Sequence, residues 1–134
     1  MLDLTRYASY RGLVVHGDKR GRLLGFPTAN VSMPAGSQLP PDGVYCTIAQ
    51  FPHSGAIFGA TASVGMNPTF DDVNDTRIEA YIHDLDETLY GLTVVLYLVQ
   101  QLRGMQRFAT VDELIAQTHR DVAESRRVLA GLGI

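Results

Sequence analysis

The sequence predicts a mainly β domain whose antiparallel strands are followed by one C-terminal helix. Short runs of β-branched and apolar residues recur along the chain, and clusters of Gly, Pro, Asn or Asp separate them, as is typical of antiparallel sheets. One run, residues 77–83, alternates between apolar and polar side chains, which is the period of a half-buried strand. The last segment of the chain changes to the helical period. These patterns favour an all-β body with a single helix at its end.

The strand-like runs can be placed individually. They span residues 11–16, 44–51, 55–64, 77–83 and 92–101. In the fourth run, the alternation places Ile78, Ala80 and Ile82 on one face. Glu79 lies on the other face, so it points away from the core if the apolar face is buried. The pattern alone favours an ordinary solvated strand residue at Glu79.

Two irregular connections and one capped helix complete the predicted order. Residues 32–42 contain three prolines and one glycine, which predicts a long irregular loop. Residues 71–76 are polar and acidic, and they predict a turn or a mobile flap. Thr110 and Glu113 form a capping box, so we expect a helix over residues 111–129 that ends at Gly131 or Gly133. Its apolar stripe, expected to pack on the sheet, consists of Val111, Leu114, Ile115, Thr118, Val122, Ser125 and Leu129.

Length and composition limit the classes of protein to which the chain can belong. Its 134 residues allow a single domain, residues 1–134, and are too few for two. The net charge of −3 argues against a nucleic-acid partner, and no apolar run approaches the ~20 residues that span a bilayer. The one cysteine, Cys46, excludes an internal disulfide, and the four histidines lack metal-ligand spacing. We therefore expect a cytoplasmic protein with no membrane or nucleic-acid partner, monomeric as an isolated domain.

The segment 17–30, Gly-Asp-Lys-Arg-Gly-Arg-Leu-Leu-Gly-Phe-Pro-Thr-Ala-Asn, is the most informative part of the chain. Its backbone can approach a ligand closely at three regularly spaced glycines, Gly17, Gly21 and Gly25. Positive charge is concentrated at three side chains, Lys19, Arg20 and Arg22. Thr28 and Asn30 offer a hydroxyl and an amide oxygen, which suit a hard cation such as Mg²⁺. A polyphosphate carried on a metal ion would use all three features.

This segment is not a generic nucleotide motif. The P-loop pattern G-x-x-x-x-G-K-[ST] and the dinucleotide fingerprint G-x-G-x-x-G are both absent. From glycines and charges alone, a basic hairpin loop whose cations face water remains an alternative.

The segment resembles the signature of riboflavin kinases, including the kinase module of bacterial bifunctional FAD synthetases. The resemblance continues, in the family's order, through Leu-Pro-Pro-Asp-Gly-Val-Tyr at 39–45, Ser-Val-Gly-Met-Asn-Pro-Thr-Phe at 63–70, Arg-Ile-Glu at 77–79 and Leu-Tyr-Gly at 89–91. It covers nearly the whole chain. The family's fold, a six-stranded antiparallel Greek-key β-barrel with a C-terminal α-helix, is therefore expected here.

The resemblance implies ATP-dependent phosphorylation of the ribityl 5′-hydroxyl of riboflavin, which gives FMN and ADP. Such a transfer needs neutralised phosphates, an in-line acceptor and a group that takes the acceptor's proton. Glu79 matches the family's catalytic carboxylate, and Thr28 and Asn30 match the residues beside the metal, expected to be Mg²⁺. The residues that the resemblance assigns to ATP binding are Gly17, Gly21, Arg22, Gly25, Pro27, Thr28, Asn30, Ile82, Asp84 and Tyr90.

Riboflavin contacts in the family come from the segment before the last helix. Here this segment implies flavin binding by Arg103, Gln106 and Phe108. The family pattern R-x-E-x-x-F keeps its Arg and Phe, but Met105 replaces the acidic residue, which is the clearest departure in the chain. Three of the nucleotide-site candidates also have ordinary structural interpretations: Ile82 as a core residue, Asp84 as a turn residue and Tyr90 as a packed aromatic residue.

Two other classes of function stay open. A catalytically inactive module of the same fold would hold flavin or nucleotide without turnover, and the altered segment 103–108 is consistent with it. A structural β-barrel adaptor would leave the cluster of glycines and cations unexplained. Nothing before Arg11 resembles the adenylyltransferase module of FAD synthetases, so we expect either a monofunctional kinase or an excised domain.

Overall fold

The computed structural model describes residues 2–15, 28–65, 77–85 and 87–134. Its strands form a closed antiparallel barrel in the order β1-β2-β5-β4-β3-β6. The elements are β1 (Ala8–Val15), β2 (Thr28–Ser32), β3 (Gly43–Phe51), β4 (Ala56–Val64), β5 (Arg77–Ile82), β6 (Thr93–Arg103) and the helix α1 (Val111–Ala130), with a short 3₁₀ turn at Leu4–Arg6 before β1. The expected fold class, a six-stranded antiparallel barrel with a C-terminal helix, is confirmed.

The strand order has the Greek-key arrangement. β3, β4 and β5 are consecutive neighbours, and β6 returns to pair with the free side of β3. β1 pairs with both β2 and β6, and β2 pairs with β5. These pairings close the sheet on itself, so each of the six strands has a neighbour on both sides.

β2 is the strand that composition did not predict. Its five residues, Thr-Ala-Asn-Val-Ser, have mixed strand propensity, and pairing with the sequence-distant β5 sets their conformation. The predicted bounds also differ at several ends. β1 begins at Ala8 rather than Arg11, β6 extends to Arg103, Gly55 lies in a turn with φ +74°, and His83 follows the end of β5.

Alternate residues of the strands fill the barrel interior. Ile78, Ala80 and Ile82 belong to this core, as the alternation predicted. Ala29 and Val31 of β2 belong to it as well. Because successive strand residues point to opposite faces, the intervening residues of β2 and β5 lie on the outer face of the barrel. This outer face includes the candidates Thr28, Asn30 and Glu79.

The helix α1 packs on the outside of the barrel, where Leu129 forms a second cluster with Cys46 and Ile48. Its start is confirmed, since the Glu113 amide donates to Thr110 Oγ1 at 3.1 Å. The expectation that Val111 packs on the sheet is wrong, because its side chain is 64% exposed. The buried residues of the helix all lie in its second half, from Asp121 onward, so the first turn extends past the barrel surface.

Both glycines that the sequence offered as the end of the helix take part in its C-terminus, since α1 ends at Ala130 and Gly131 is its capping residue. Gly131 keeps a right-handed φ of −64°, whereas Gly133 has a φ of +84°. The left-handed conformation at Gly133 returns the Ile134 amide to the Leu129 carbonyl at 3.1 Å. This is the Schellman arrangement, which favours glycine at the turning residue.

The loop prediction for residues 33–42 is confirmed, since no helix or strand occurs there, and Ser32 is the last residue of β2. The predicted turn at 71–76 lies outside the described residues. Within the described ranges, no helix combines the length and the apolar character needed to cross a bilayer.

Candidate active site

Two neighbouring strands of the barrel wall carry the candidate catalytic and metal-binding residues. Asn30 on β2 lies directly opposite Glu79 on β5, and Thr28 lies opposite Tyr81. Glu79 also lies opposite Ser63 on its other side, on β4. Directly opposed residues share a face and have Cβ atoms about 4.5–5.5 Å apart. The fold therefore brings Asn30 and Glu79 within reach of one another, although they are distant in the sequence.

The polar residues of this face are partly withdrawn from solvent. Asn30 is 7% exposed, and Thr28 and Glu79 are half-buried. Glu79 is therefore not the fully solvated strand residue that the alternation alone favoured. A carboxylate in such a position interacts more strongly with a neighbouring charge than one in open water does.

The oxygen atoms of this face fit a hard divalent cation. Thr28 and Asn30 are two residues apart on one strand, so their Cα atoms are about 7 Å apart and their side chains share a face. Their hydroxyl and amide oxygens are ligands that Mg²⁺ accepts, together with water and substrate phosphates. The described residues contain no group of three or more His, Cys, Asp or Glu that could enclose a metal. Two neutral oxygen ligands leave the rest of a Mg²⁺ coordination sphere to water and substrate phosphates.

Three of the remaining nucleotide-site candidates, Ile82, Asp84 and Tyr90, lie at one end of the barrel. Ile82 is the last residue of β5, Asp84 follows it, and Tyr90 precedes the start of β6. Thr28 begins β2 at the same end, because β2 runs antiparallel to β5. The candidates Gly17, Gly21, Arg22, Gly25 and Pro27 lie outside the described residues.

Ile82, Asp84 and Tyr90 have three different environments. The Ile82 side chain is 4% exposed and belongs to the core, so it could reach a nucleotide only through its backbone. Tyr90 is 41% exposed beside Gly91, whose amide donates to the Val14 carbonyl. Tyr90 is thus an aromatic residue with a partly exposed side chain at this end of the barrel.

Asp84 is an exposed turn residue with a structural partner. It adopts a φ of +60°, in the left-handed region that Asp tolerates better than most residues. Its carboxylate accepts hydrogen bonds from Arg126 of α1 at 3.1 and 3.2 Å. These hydrogen bonds and the guanidinium charge lower the pKa of Asp84. The turn after β5 is in this way attached to the helix.

Arg103, a flavin-site candidate, is engaged by the protein itself. Its Nε donates to both carboxylate oxygens of Asp121, at 3.0 and 3.1 Å, and its Nη2 donates to Asp121 Oδ2 at 2.9 Å. Its Nη1 donates to the Gly104 carbonyl at 3.1 Å, and its guanidinium carbon lies 5.7 Å from the Phe108 ring centroid. Gln106 is exposed, and Phe108 is half-buried. The three flavin-site candidates therefore lie in one short segment that Arg103 organises.

The strand register relates the position of Glu79 to that of Arg103. Glu79, Ser63, Val44 and Arg103 are successive direct partners on β5, β4, β3 and β6. Three strand spacings of about 4.8 Å separate Glu79 from Arg103, or about 14 Å measured along the sheet. Asp84 and Tyr90 lie on one side of this row of partners, toward one end of the barrel. The segment after Arg103 lies on the other side of the row, toward the opposite end. Glu79 is thus between the predicted nucleotide and flavin segments.

A buried polar network lies beside this site and was not predicted. His83 Nε2 is 2.7 Å from Thr61 Oγ1, which donates to Ser125 Oγ of α1 at 2.9 Å. With Thr61 donating to Ser125, the Thr61 hydroxyl accepts from His83, which is consistent with a proton on Nε2. Burial first, and the Arg126 charge second, lower the pKa of His83 to about 4, against the opposing effect of Asp84. His83 is accordingly a neutral structural residue that joins the barrel to the helix.

Sequence reasoning also missed Asp121. This carboxylate is 6% exposed on α1, and it accepts from Gln117 Nε2 at 2.9 Å as well as from Arg103. Its spacing offered a signal, because Asp121 lies three residues after Thr118 and four before Ser125 on the predicted stripe. A charged residue on a packed helix face requires a partner, and Arg103 provides it.

Comparison with known proteins identifies the family to which the chain belongs. The family model described as Flavokinase: Riboflavin kinase matches residues 4–129. The bifunctional riboflavin kinase/FMN adenylyltransferase of Bacillus subtilis (strain 168) is 33% identical over 124 residues, covering 91% of this chain and 39% of that protein. The chain thus spans about two fifths of the length of the curated relatives it matches.

Two solved structures show the same fold. A structure described as a macrolide-efflux protein from Streptococcus pneumoniae matches with a TM-score of 0.78 and 38% identity, over 90% of this chain and 38% of that one. The riboflavin kinase of Trypanosoma brucei matches with a TM-score of 0.58 and 22% identity, over 91% of this chain and 79% of that one. The second likeness is one of fold. Because the family model spans nearly the whole sequence and the barrel agrees with it, the chain belongs to the riboflavin kinase family.

Proposed function

We propose that this chain transfers the γ-phosphoryl group of ATP to the 5′-hydroxyl of riboflavin, which gives FMN and ADP. The observation that carries the proposal is the register of β2 and β5, in which Asn30 and Glu79 are direct partners. A proton acceptor beside a metal ligand is the arrangement that phosphoryl transfer requires. Membership of the riboflavin kinase family supports the same class of reaction.

Glu79 acts in this proposal mainly by orienting the acceptor hydroxyl. A glutamate in water has a pKa near ~4.3, whereas an alcohol, like water, is a weaker acid by about twelve pKa units. Full deprotonation before attack would therefore cost about 16 kcal/mol, at 1.36 kcal/mol for each pKa unit. The carboxylate instead accepts a hydrogen bond from the hydroxyl and takes the proton late, after the bond to ADP has loosened.

Thr28 and Asn30 would hold Mg²⁺ together with the phosphates of ATP. When bound, the metal neutralises the charge that develops on the phosphate oxygens. The residues proposed to complete the ATP site are Gly17, Gly21, Arg22, Gly25, Pro27, Ile82, Asp84 and Tyr90. The residues proposed to bind riboflavin are Arg103, Gln106 and Phe108. Residues 1–134 would form one catalytic unit that works as a monomer in the cytoplasm.

Substitution of Glu79 tests the proposal. Purified protein with riboflavin, ATP and Mg²⁺ should form FMN, resolved by chromatography, and Glu79→Gln should lower kcat by about 10² to 10⁴-fold. Riboflavin binding, followed by flavin fluorescence, should survive because the amide keeps the size of the carboxylate. The matched control is Glu124→Gln, which removes a charge from an exposed glutamate on α1 and should leave kcat unchanged.

The competing function is an inactive module that holds flavin or nucleotide. The exposed Met105, in place of the family's acidic residue, is the observation that favours it. Wild-type protein that binds riboflavin but forms no FMN would overturn the kinase proposal and establish this alternative. FMN formation that is indifferent to Glu79→Gln would retain the kinase and reject the role of Glu79.

A further inference from the structure

The segment between β6 and α1, residues 104–110, is attached to the helix at both of its ends. At the start, Arg103 forms its multiple hydrogen bonds with Asp121. At the end, the Ala109 amide donates to Glu113 Oε2 at 3.0 Å. Between these two points Met105, Gln106 and Arg107 are exposed. The middle of the segment is thus available to a ligand, whereas its ends are fixed.

Chain length alone would not fix this segment. Asp121 and Glu113 are eight residues apart on α1, which is about 12 Å along the helix axis. The six residues from Gly104 to Ala109 could reach about 20 Å if fully extended. The backbone therefore has slack between its two attachment points. Its conformation must come from the side-chain contacts, and Arg103 provides two of them, to the Gly104 carbonyl and to the Phe108 ring.

The Arg103–Asp121 pair differs in its burial from two other ion pairs of the helix, Arg126–Asp84 and Arg127–Glu124. The two side chains are 17% and 7% exposed, whereas those of the Arg126–Asp84 pair are 44% and 76% exposed and those of the Arg127–Glu124 pair 70% and 42%. Exposed pairs are screened by water and contribute little. Removing one member of a buried, multiply bonded pair leaves its partner without compensation. Asp121 is therefore the helix carboxylate whose loss should disturb its surroundings most.

We infer that Asp121 is a positioning residue for riboflavin: by holding Arg103, it keeps residues 104–108 in the conformation that binds the flavin. This inference rests on the proposed function, in which that segment receives riboflavin. Arg103 contributes less by hydrogen bonding to the flavin than by shaping the segment, because Asp121 and the Gly104 carbonyl engage three of its five N–H donors. The Phe108 ring, beside the guanidinium, is held by the same residue.

A role limited to holding the helix on the barrel does not account for this geometry. Leu129 packs on Cys46 and Ile48, and Ser125 joins the Thr61 network, so the helix has other attachments to the barrel. Arg103, by contrast, connects Asp121 to Gly104 and Phe108, both within the segment. Loss of Asp121 should therefore affect riboflavin binding more than ATP binding.

The experiment compares Asp121→Asn with Glu124→Gln in the full chain. Riboflavin Kd is measured by flavin fluorescence without turnover, and the KM values for riboflavin and ATP are measured separately. We expect Asp121→Asn to weaken riboflavin binding about tenfold or more, with the KM for ATP changed less than twofold. Glu124→Gln should change neither quantity. A riboflavin Kd within twofold of wild type in a folded Asp121→Asn protein would overturn the inference.

A second variant covers the case in which Asp121→Asn does not fold. Arg103→Lys keeps the charge but cannot make the bidentate contact, and it should weaken riboflavin binding to a similar extent. A riboflavin Kd within twofold of wild type for Arg103→Lys would overturn the inference. Where Asp121→Asn folds, adding it to Arg103→Lys should cause no further loss in riboflavin affinity, since Asp121 acts through the guanidinium. If the two substitutions weakened riboflavin binding additively, Asp121 would not act through Arg103. If wild type binds riboflavin without forming FMN, and Asp121→Asn still weakens binding, the proposed function fails and this inference stands.

Discussion

The buried network of His83, Thr61 and Ser125 predicts that stability falls in mildly acidic solution for one identifiable reason. Burial, assisted by the charge of Arg126, lowers the folded-state pKa of His83 to about 4, whereas an unfolded histidine titrates near 6.5. The unfolded chain therefore takes up this proton first as the pH decreases. The stabilisation is complete above pH ~6.5 and is lost progressively down to pH ~4.

The magnitude follows from the two pKa values. Each pH unit between them costs about 1.36 kcal/mol, so at pH 5.0 the free energy of unfolding should be about 2 kcal/mol lower than at pH 7.5 from this residue alone. The imidazole is 3% exposed, so solvent screens the effect little. Other groups facing it are Tyr81, whose ring lies 5.4 Å away, and the Asp84–Arg126 pair.

The assay is urea denaturation at pH 7.5 and pH 5.0 for the wild type and for His83→Gln, which can donate to Thr61 but has no proton to gain. The difference between the two proteins isolates His83 from carboxylates that titrate in the same range. We expect the wild type to lose about 2 kcal/mol more than the variant over this interval. Equal losses in the two proteins would refute the assignment of a neutral, buried His83.

Two further predictions concern packing. Gly59→Ala should lower the free energy of unfolding by about 1–3 kcal/mol, because the added Cβ would lie 2.6 Å from Leu129 Cδ1 and 3.0 Å from His83 Nδ1. The control is Gly104→Ala, whose added Cβ would meet open space. Equal denaturation midpoints for the two variants would contradict this packing argument. Thr47→Val should be neutral or stabilising by up to about 1 kcal/mol, because the fully buried Thr47 hydroxyl has no hydrogen-bond partner among the described residues. Thr61→Val, which breaks the hydrogen bonds to His83 and Ser125, should instead lower the free energy of unfolding by about 1–3 kcal/mol. A large decrease for Thr47→Val, measured by thermal unfolding, would show that the Thr47 hydroxyl does have a hydrogen-bond partner.

Local patterns in the sequence predicted the elements that local interactions stabilise. The cap at Thr110 and the start of α1 were correct, because a capping box acts within one helical turn. The alternation over residues 77–83 correctly placed Ile78, Ala80 and Ile82 in the core. By contrast, β2 was missed because its strand conformation depends on pairing with β1 and β5.

The candidate site shows the same division. The residue types at Thr28, Asn30 and Glu79 pointed to metal and proton chemistry, and the resemblance to riboflavin kinases gave the order of the motifs. That Asn30 and Glu79 are direct neighbours follows from the register of β2 on β5, which a one-residue slip would abolish. The partner of Arg103 was likewise invisible in the sequence, because Asp121 meets it only when α1 packs on the barrel.

By itself, then, the sequence determined the mainly β class, the capped helix, the core face of β5 and the family, since periodicity, caps and motifs are properties of neighbouring residues. Tertiary structure alone decided the membership of β2 in the barrel, the Asn30–Glu79 pairing and the buried contacts Arg103–Asp121 and His83–Thr61–Ser125. Those features join residues that are far apart along the chain, and only closure of the barrel and docking of the helix bring them together.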